Sequence, residues 1–375
     1  MTAPPPDEPL LLMTPGPTRV PERVLRAGAR PMTHHRTPEF SRELATLLEL
    51  IAPVFGTRSA VLPVHTTGRG AMEAAVCNLF SPGDEIGMAC NGKFGEMWAG
   101  FAESYGLIVH RLATDWTRDL DTAEVEQLFK AQPAVRAVSL AYCDTSTGAR
   151  QDVAAVARTV RANSDRALVL VDGISSLGGM PFEFDEWGVD FAVTASQKCL
   201  MSSPGLAFVA LSERAWAATK TSRLPRNYWD FRDILKNVTQ AKPETPGTPP
   251  VHVMLQVTEA LRMLTEEGLP NVQRRHEAMA ARVRRRVGEL GLSMQCPTLG
   301  SYAATLTAIA LPPQLAPRLV RERIKARGIL TAAGLGKFQD SSFRIGHMGD
   351  IRMADVERTL GALTDALSGS PAPGR

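Results

Sequence analysis

Seven short apolar runs, separated for the most part by helical patterns, constrain the fold of this 375-residue chain more than any other feature of its sequence. The runs occupy residues 60–64, 85–90, 107–112, 134–142, 167–172, 191–196 and 206–211. Strands that are apolar along their whole length and alternate with helices are typical of a mostly parallel sheet covered on both faces. We therefore expect an α/β fold with this sheet at its centre.

The remaining pattern predicts an arm and a second domain. Residues 1–20 are rich in proline and predict an N-terminal arm, and residues 21–255 hold the seven runs and predict a large domain. Residues 256–375 contain further strand-like and helical patterns, which predict a smaller C-terminal α/β domain. Residues 227–251 are rich in proline and polar residues, so we expect an irregular segment there, of the kind that is usually functional.

Composition excludes several classes of protein. The chain is 44% hydrophobic and 22% charged, and its net charge of +3 favours no particular class of partner. The arginine-rich stretch 275–286 predicts a solvated helix face and not a nucleic-acid site. The amino terminus lacks the basic start and apolar core of a signal peptide, and no apolar run approaches the roughly 18 residues of a membrane helix. Five scattered cysteines favour neither a metal site nor disulfides. We expect a soluble, cytoplasmic protein.

Two of the apolar runs end in residues that could carry chemistry. Asp172 closes the run at 167–172, and Lys198 follows the run at 191–196. Both would lie at the carboxyl edge of the sheet, where open α/β sheets bind ligands and where burial makes unpaired charges costly. Pyridoxal phosphate could pair with both, through its aldehyde and its pyridinium nitrogen. A surface lysine and a helix-capping aspartate are the alternative interpretation of the pair alone.

The segments that follow three more of the apolar runs support this interpretation. The turn at 65–70 is rich in glycine and precedes a helix, so its free N–H groups suit a phosphate. Residues 143–148 form a hydroxyl cluster that could bind polar groups or merely cap a helix. Residues 91–95 place Phe94 where it could stack on a ring, although an isolated phenylalanine is more often a core residue. The convergence of these features at strand ends favours the cofactor.

Taken in order, the motifs of the chain resemble the class V aminotransferases, in the branch of the alanine–glyoxylate and serine–glyoxylate (serine–pyruvate) enzymes. The resemblance covers most of the chain and is carried by the motifs at residues 14–18, 35–40, 67–74, 144–148, 172–176, 196–198, 245–250 and 343–349. It implies the type I fold of PLP-dependent aminotransferases, with a mostly parallel seven-stranded sheet in the large domain. It also implies a homodimer with active sites at the subunit interface.

The resemblance implies a role for each matching residue around the cofactor ring. Lys198 would form the Schiff base with pyridoxal phosphate, and Asp172 would pair with the pyridinium nitrogen. Phe94 would stack on one face of the ring and Ile174 would pack against the other, while Thr145 would hydrogen-bond the ring hydroxyl.

The phosphate and the substrate would be held by a different set of residues. The resemblance implies that the phosphate is bound by Thr67, Gly68, Arg69, Gln197 and, from the second subunit, Thr248. Arg344 resembles the arginine that binds the substrate carboxylate through two parallel hydrogen bonds, with a salt bridge as its structural alternative. The implied reaction transfers an amino group from a small amino acid, alanine or serine, to glyoxylate or pyruvate.

Some positions depart from the family pattern. Asp144 stands where relatives often have glutamate, and Arg69 stands where many have a small or neutral residue. Pyridoxamine–pyruvate aminotransferases carry a glutamate in the phosphate turn, which is absent from Thr67-Gly68-Arg69, so that activity is less favoured here.

A lyase or desulfurase on the same fold and a non-catalytic PLP-binding protein are also less favoured. Desulfurases place a histidine before the lysine and need a mobile cysteine, whereas Gln197 precedes Lys198 here and Cys199 lies in no obvious flexible loop. A PLP-binding regulator would need an additional domain for which the chain has no room. The amino donor and the roles of four residues stay open: His34, His35, Tyr302 and His347.

Overall fold

A computed structural model describes residues 9–369 and contains three sheets. The strands are β1 (Leu11–Met13), β2 (Val61–Val64), β3 (Glu85–Ala89), β4 (Ile108–Leu112), β5 (Ala137–Ala141), β6 (Cys143–Asp144), β7 (Ala149–Arg150), β8 (Leu168–Asp172), β9 (Phe191–Ala195), β10 (Ala207–Leu211), β11 (Ser293–Met294), β12 (Leu306–Ala310), β13 (Ile329–Ala333) and β14 (Ser342–Gly346). All seven apolar runs are strands, as predicted.

Thirteen α-helices cover the sheets in the described part of the chain. They are α1 (Glu22–Gly28), α2 (Pro38–Phe55), α3 (Gly68–Leu79), α4 (Lys93–Ser104), α5 (Thr122–Ala131), α6 (Val153–Asn163), α7 (Phe184–Trp187), α8 (Glu213–Thr221), α9 (Phe231–Val238), α10 (Val251–Glu267), α11 (Leu269–Glu289), α12 (Pro317–Lys325) and α13 (Met353–Ser368). Helix α9 lies inside residues 227–251, so the prediction of a wholly irregular segment there was wrong. Asp230 caps α9 by accepting from Arg232 N–H at 2.9 Å.

The central sheet has the strand order β2-β10-β9-β8-β5-β3-β4. Strands β9, β8, β5, β3 and β4 are parallel, and β10 runs antiparallel to both of its neighbours. The predicted α/β fold with a mostly parallel seven-stranded sheet is confirmed. Because the five parallel strands share one direction, their carboxyl ends meet at one edge of the sheet.

Both faces of the central sheet are buried, which explains its apolar strands. Along β8, Val169 and Val171 belong to the core formed with α2, α5, α6 and α10, whereas Leu168 and Leu170 belong to the core on the opposite face with α3, α4, α8 and α9. Side chains alternate between the faces of a strand, so a strand covered on both sides is apolar at most of its positions.

A second sheet, ordered β1-β13-β14-β12-β11, holds the C-terminal elements together with the N-terminal arm. Strand β1 pairs in parallel with β13 through Leu11 and Ile329, and β14 pairs antiparallel with both β12 and β13. Helices α11, α12 and α13 cover one face of this sheet, where Phe343 and Ile345 are buried. Arg344 lies between those two residues and so points to the opposite face.

Candidate active site

Asp172 and Lys198 lie at the same edge of the central sheet. Asp172 is the last residue of β8, and Lys198 follows the end of the neighbouring parallel strand β9 by three residues. The Asp172 side chain is 4% exposed, and its Oδ1 accepts a hydrogen bond from Ile174 N–H at 2.9 Å. Both groups therefore lie where the sequence pattern predicts them relative to the sheet.

Burial moves both groups towards their neutral forms. It raises the pKa of Asp172 to about 7, with a further increase from the nearby charge of Asp144, while the Ile174 N–H and Lys198 act in the opposite direction. Burial also lowers the pKa of the Lys198 amine, and Asp172 partly counters that effect. A buried carboxyl and a buried amine with such shifts are typical of functional sites, because each is held ready for an external partner.

A helix N-terminus points to the same edge of the sheet. The first intrahelical hydrogen bond of α3 runs from Ala71 N–H to Thr67 O, so the N–H groups of Gly68, Arg69 and Gly70 precede the helical ladder. Such groups and the positive end of the helix dipole bind anions. A Cβ on Gly68 would lie 2.5 Å from Ile174 Cδ1, so a side chain at this position would displace the end of the Ile174 side chain.

The remaining residues predicted for the phosphate lie in different surroundings. Arg69 places its guanidinium over the Phe101 ring, 5.3 Å from the centroid, so its side chain is held against α4. Gln197 Oε1 is buried and has no hydrogen-bond partner among residues 9–369. Thr248 is exposed and lines a cavity of about 250 Å³ with His65 and Tyr228, a cavity that neither Lys198 nor Asp172 lines.

Arg344 reaches from β14 to the loop that follows β6. Its Nε donates to Ala333 O at 2.7 Å, and its Nη1 donates to Thr145 O at 3.1 Å and to Thr145 Oγ1 at 3.4 Å. These acceptors are neutral, and within residues 9–369 no carboxylate forms an ion pair with Arg344, which argues against the salt-bridge alternative. Burial lowers the pKa of Arg344 to about 10, an effect that Asp144 partly counters.

Phe94 lies in the first turn of α4, at the edge of the central sheet. Its N–H donates to Asp144 Oδ2 at 2.9 Å, which joins α4 to the end of β6 and to the loop that follows it. Thr145, the next residue of that loop, is 2% exposed. The structure therefore brings Phe94, Thr145 and Arg344 into one connected group.

The N-terminal arm forms a part of the site that the sequence pattern did not reveal. Lys198 Nζ donates to Pro15 O, and Thr18 holds the same loop through its N–H to Gln197 O at 3.1 Å and its Oγ1 to Lys198 O at 3.0 Å. Gly16 has a φ of +113°, and a Cβ there would lie 2.6 Å from Lys198 Nζ. The motif at 14–18 is visible in the sequence, but these contacts span about 180 residues, and local patterns do not reveal them.

The four residues left open lie in identifiable surroundings. His347 is fully buried, its Nε2 is 2.9 Å from Thr307 Oγ1, and burial lowers its pKa to about 3. Tyr302 donates to Cys296 O at 2.9 Å. The His34 and His35 rings stack on each other with centroids 4.9 Å apart. None of these contacts involves Lys198 or Asp172.

Neither a membrane-crossing helix nor a metal-binding cluster occurs in the part of the chain that the structure describes. No helix within residues 9–369 is long and apolar enough to cross a membrane. Over the same residues, no group of three or more histidine, cysteine, aspartate and glutamate side chains could hold a metal ion.

The donor set fits pyridoxal phosphate. The Asp172 carboxylate can accept a hydrogen bond from a protonated ring nitrogen, Lys198 supplies an amine for an aldehyde, and the first turn of α3 supplies N–H groups for a phosphate. A mostly parallel α/β sheet with this set of groups at its carboxyl edge defines a PLP-dependent enzyme.

The chain belongs to the class V aminotransferase family: residues 11–352 match the family described as Aminotransferase class-V. It is 37% identical over 361 residues to an L-aspartate–glyoxylate aminotransferase of Paracoccus denitrificans, covering 95% of this chain and 88% of the relative. It is 32% identical to a serine–glyoxylate aminotransferase of Methylorubrum extorquens, with 95% and 89% covered. An alanine–glyoxylate aminotransferase of Nostoc sp. has a similar structure, with a TM-score of 0.90 at 29% identity over 98% of this chain and 97% of that one.

Proposed function

We propose that this aminotransferase moves an amino group from a small amino acid, alanine or serine, to glyoxylate or pyruvate. The observation that carries the proposal is Arg344, a half-buried cation without a carboxylate partner in the described chain, beside the loop that contains Thr145. Nη1 and Nη2 of one guanidinium can bind a substrate carboxylate through two parallel hydrogen bonds, which a lysine cannot reproduce. The names of the relatives support glyoxylate as acceptor.

The residues at the edge of the sheet would each have a separate role in the reaction. When bound, pyridoxal phosphate supplies an aldehyde for the amino group and a ring that accepts electrons from the substrate Cα. Lys198 Nζ would take the proton from the substrate Cα and deliver it to the carbon that carried the cofactor's aldehyde, because its lowered pKa leaves a neutral amine available as a base. Asp172 holds a proton at the ring nitrogen, and Arg344 orients the substrate through its carboxylate.

Packing around the ring would be supplied by three further residues. Phe94 lies on α4 at one side and Ile174 packs against Gly68 at the other, so we propose them as the two walls of the cofactor site. Thr145 would bind the ring hydroxyl. The phosphate would lie at the N-terminus of α3, against Thr67, Gly68 and Arg69, and the Nε2 amide group of Gln197 would be an additional donor. Arg69 would contribute its backbone N–H, because its side chain lies over the Phe101 ring.

We further propose that the chain works as a homodimer in the cytoplasm, with domains at 21–255 and 256–375 and the arm at 1–20, of which residues 1–8 and 370–375 lie outside the part that the structure describes. The exposure of Thr248, away from the sheet edge that holds Lys198, supports its contribution to the phosphate site of the second subunit. Mixing Lys198→Ala and Thr248→Ala chains tests this arrangement. Each mixed dimer would contain one site with both wild-type residues, so activity should rise above that of either variant. No gain on mixing would contradict the shared site.

Spectral half-reactions test the proposed chemistry. Protein loaded with pyridoxal phosphate should lose its visible absorbance when alanine or serine is added and regain it with glyoxylate or pyruvate, because the amino group is stored on the cofactor between the two halves. Aspartate, the donor in the name of one relative, belongs in the same series. A lyase would consume its substrate without a stable change in the cofactor spectrum, and a non-catalytic binder would show no change with either partner. Either of these results would contradict the proposal.

A further inference from the structure

Asp144 is a buried carboxylate to which the proposed chemistry gives no role. Its side chain is 1% exposed, and three hydrogen bonds stabilise its charge. Oδ2 accepts from Phe94 N–H at 2.9 Å, and Oδ1 accepts from Ser146 N–H at 2.9 Å and from Ser146 Oγ at 2.6 Å. A buried charge held by so many donors stabilises one particular arrangement of the groups around it.

The carboxylate caps helix α4 from another part of the chain. Gly92 occupies the N-cap position and has no side chain, so the first-turn N–H groups are bound from the β6 loop instead: Phe94 N–H by Asp144 and Lys93 N–H by Ser146 Oγ at 3.0 Å. A negative charge at a helix N-terminus is stabilised by the helix dipole. A Cβ on Gly92 would lie 2.1 Å from Asp144 Cγ, so glycine is needed for the carboxylate to reach the helix.

This cap joins the three elements that form one side of the site. Helix α4 carries Phe94, the loop after β6 carries Thr145, and Arg344 on β14 binds that loop through Thr145 O. The carboxylate also lies close enough to affect the charges of its neighbours. Asp172 has a pKa raised mainly by burial, and Asp144 raises it further; Arg344 has a pKa lowered by burial, and Asp144 opposes that change.

We propose that Asp144 is a positioning residue for the cofactor and the substrate carboxylate. By fixing the N-terminus of α4 to the Thr145 loop, it sets the separation between the ring-stacking side chain of Phe94 and the group formed by Thr145 and Arg344. This inference rests on the proposed PLP-dependent function, because that separation places the stacking side chain of Phe94 relative to the groups that would bind the ring hydroxyl and the substrate carboxylate. Asp144 acts through its neighbours and is not proposed to touch the reacting atoms.

Asp144→Asn tests the inference in the full-length protein loaded with pyridoxal phosphate. The amide keeps one acceptor oxygen but turns an NH₂ group towards a backbone N–H, so α4 and the loop can no longer be held as they are. We expect the dissociation constant for pyridoxal phosphate to rise roughly 10- to 100-fold, and KM for glyoxylate to rise with it. The visible circular dichroism of the bound cofactor should also weaken, since it reports how the ring is held.

Asp121→Asn is the matched control. Asp121 is an exposed aspartate that caps α5 through Ala123 N–H at 2.9 Å and has no contact with the site. Its substitution should leave cofactor affinity, visible dichroism and KM for glyoxylate unchanged, even if it lowers the melting temperature. Ser146→Ala covers the case in which Asp144→Asn fails to fold, because it removes two hydrogen bonds of the cap and keeps the charge. It should shift affinity and KM in the same direction by a smaller factor.

The outcomes separate this inference from the function on which it rests. If the wild-type protein binds no pyridoxal phosphate, the proposed function fails. If the wild type binds it and both cap variants match the Asp121→Asn control in affinity, dichroism and KM, the positioning role is overturned while the function stands. A lower melting temperature alone, with these three quantities unchanged, would also overturn it, because Asp144 would then be only a helix cap.

Discussion

Replacing Asp172 by asparagine should stabilise the cofactor-free protein, with a gain that depends on pH. The carboxyl is 4% exposed, and burial raises its pKa from an ordinary 3.8 to about 7. Because the folded state binds this proton more tightly than the unfolded state does, stability falls as pH rises between the two pKa values. The ionised carboxylate therefore costs free energy at neutral pH, and an amide of the same shape avoids that cost while its oxygen can still accept from Ile174 N–H.

The size of the effect follows from the shift in pKa. A shift of about three units corresponds to about 4 kcal/mol once the pH is above the folded pKa. At about pH 5.5 the unfolded carboxyl is ionised and the folded one is mostly protonated, so the cost is only about 2 kcal/mol. The advantage of Asp172→Asn over the wild type should therefore grow by about 2 kcal/mol between about pH 5.5 and pH 8.5.

Urea unfolding of cofactor-free wild type and Asp172→Asn at the two pH values measures this difference. Asp152→Asn is the control, since Asp152 is an exposed aspartate that caps α6 through Ala155 N–H at 2.9 Å. Adding pyridoxal phosphate should reverse the order, because the wild-type carboxylate then gains a cationic partner that asparagine cannot use. If Asp172→Asn had no greater free energy of unfolding than the wild type at the higher pH, or exceeded it by the same amount at both pH values, the conclusion that burial destabilises the ionised Asp172 would be refuted.

Three further predictions concern separate parts of the site. Arg344→Lys should raise KM for glyoxylate on the order of 10- to 100-fold with a smaller change in kcat, because the paired hydrogen bonds are lost; an unchanged KM in steady-state kinetics would remove Arg344 from the substrate site. Gly68→Ala should weaken cofactor binding because its Cβ would displace Ile174, whereas Gly100→Ala should not, because a Cβ at that position would meet no other side chain. Equal affinities by equilibrium dialysis would contradict the close approach of Gly68 to Ile174. Thr18→Val should lower kcat, because it removes the hydrogen bond that holds the Lys198 loop against the arm. Thr14→Val is the control, since it loses only a hydrogen bond to Pro17 O, and its kcat should not change. Stopped-flow spectra of the first half-reaction measure both variants, and equal rates would contradict the role of the arm.

Local patterns in the sequence predict the central sheet and the position of its key residues. Asp172 and Lys198 could be assigned to one edge because a strand that is apolar throughout must be covered on both sides, and parallel strands end together. The spacing of Phe231, Ile234 and Val238 after Asp230 also carries a helix signal, although the surrounding prolines and polar residues obscured it.

Contacts between distant segments could not be predicted in the same way. Strand β13 pairs with β1, which lies about 320 residues earlier in the chain, so local patterns do not reveal this pairing. The Pro15 carbonyl meets Lys198 for the same non-local reason. The role of Asp144 at α4 depends on a residue that lies 50 positions away, so the hydroxyl cluster could be noted from the sequence while its connection to Phe94 could not.

The most direct test of the central claim is to find which lysine bonds to the cofactor. Wild-type protein loaded with pyridoxal phosphate is reduced with borohydride, digested and analysed by mass spectrometry, so that the modified side chain is identified. The account predicts that the label lies on Lys198 and that Lys198→Ala carries none at a stoichiometric level. A label on another lysine, such as Lys93 in the first turn of α4, or the absence of any label on the wild type, would contradict it.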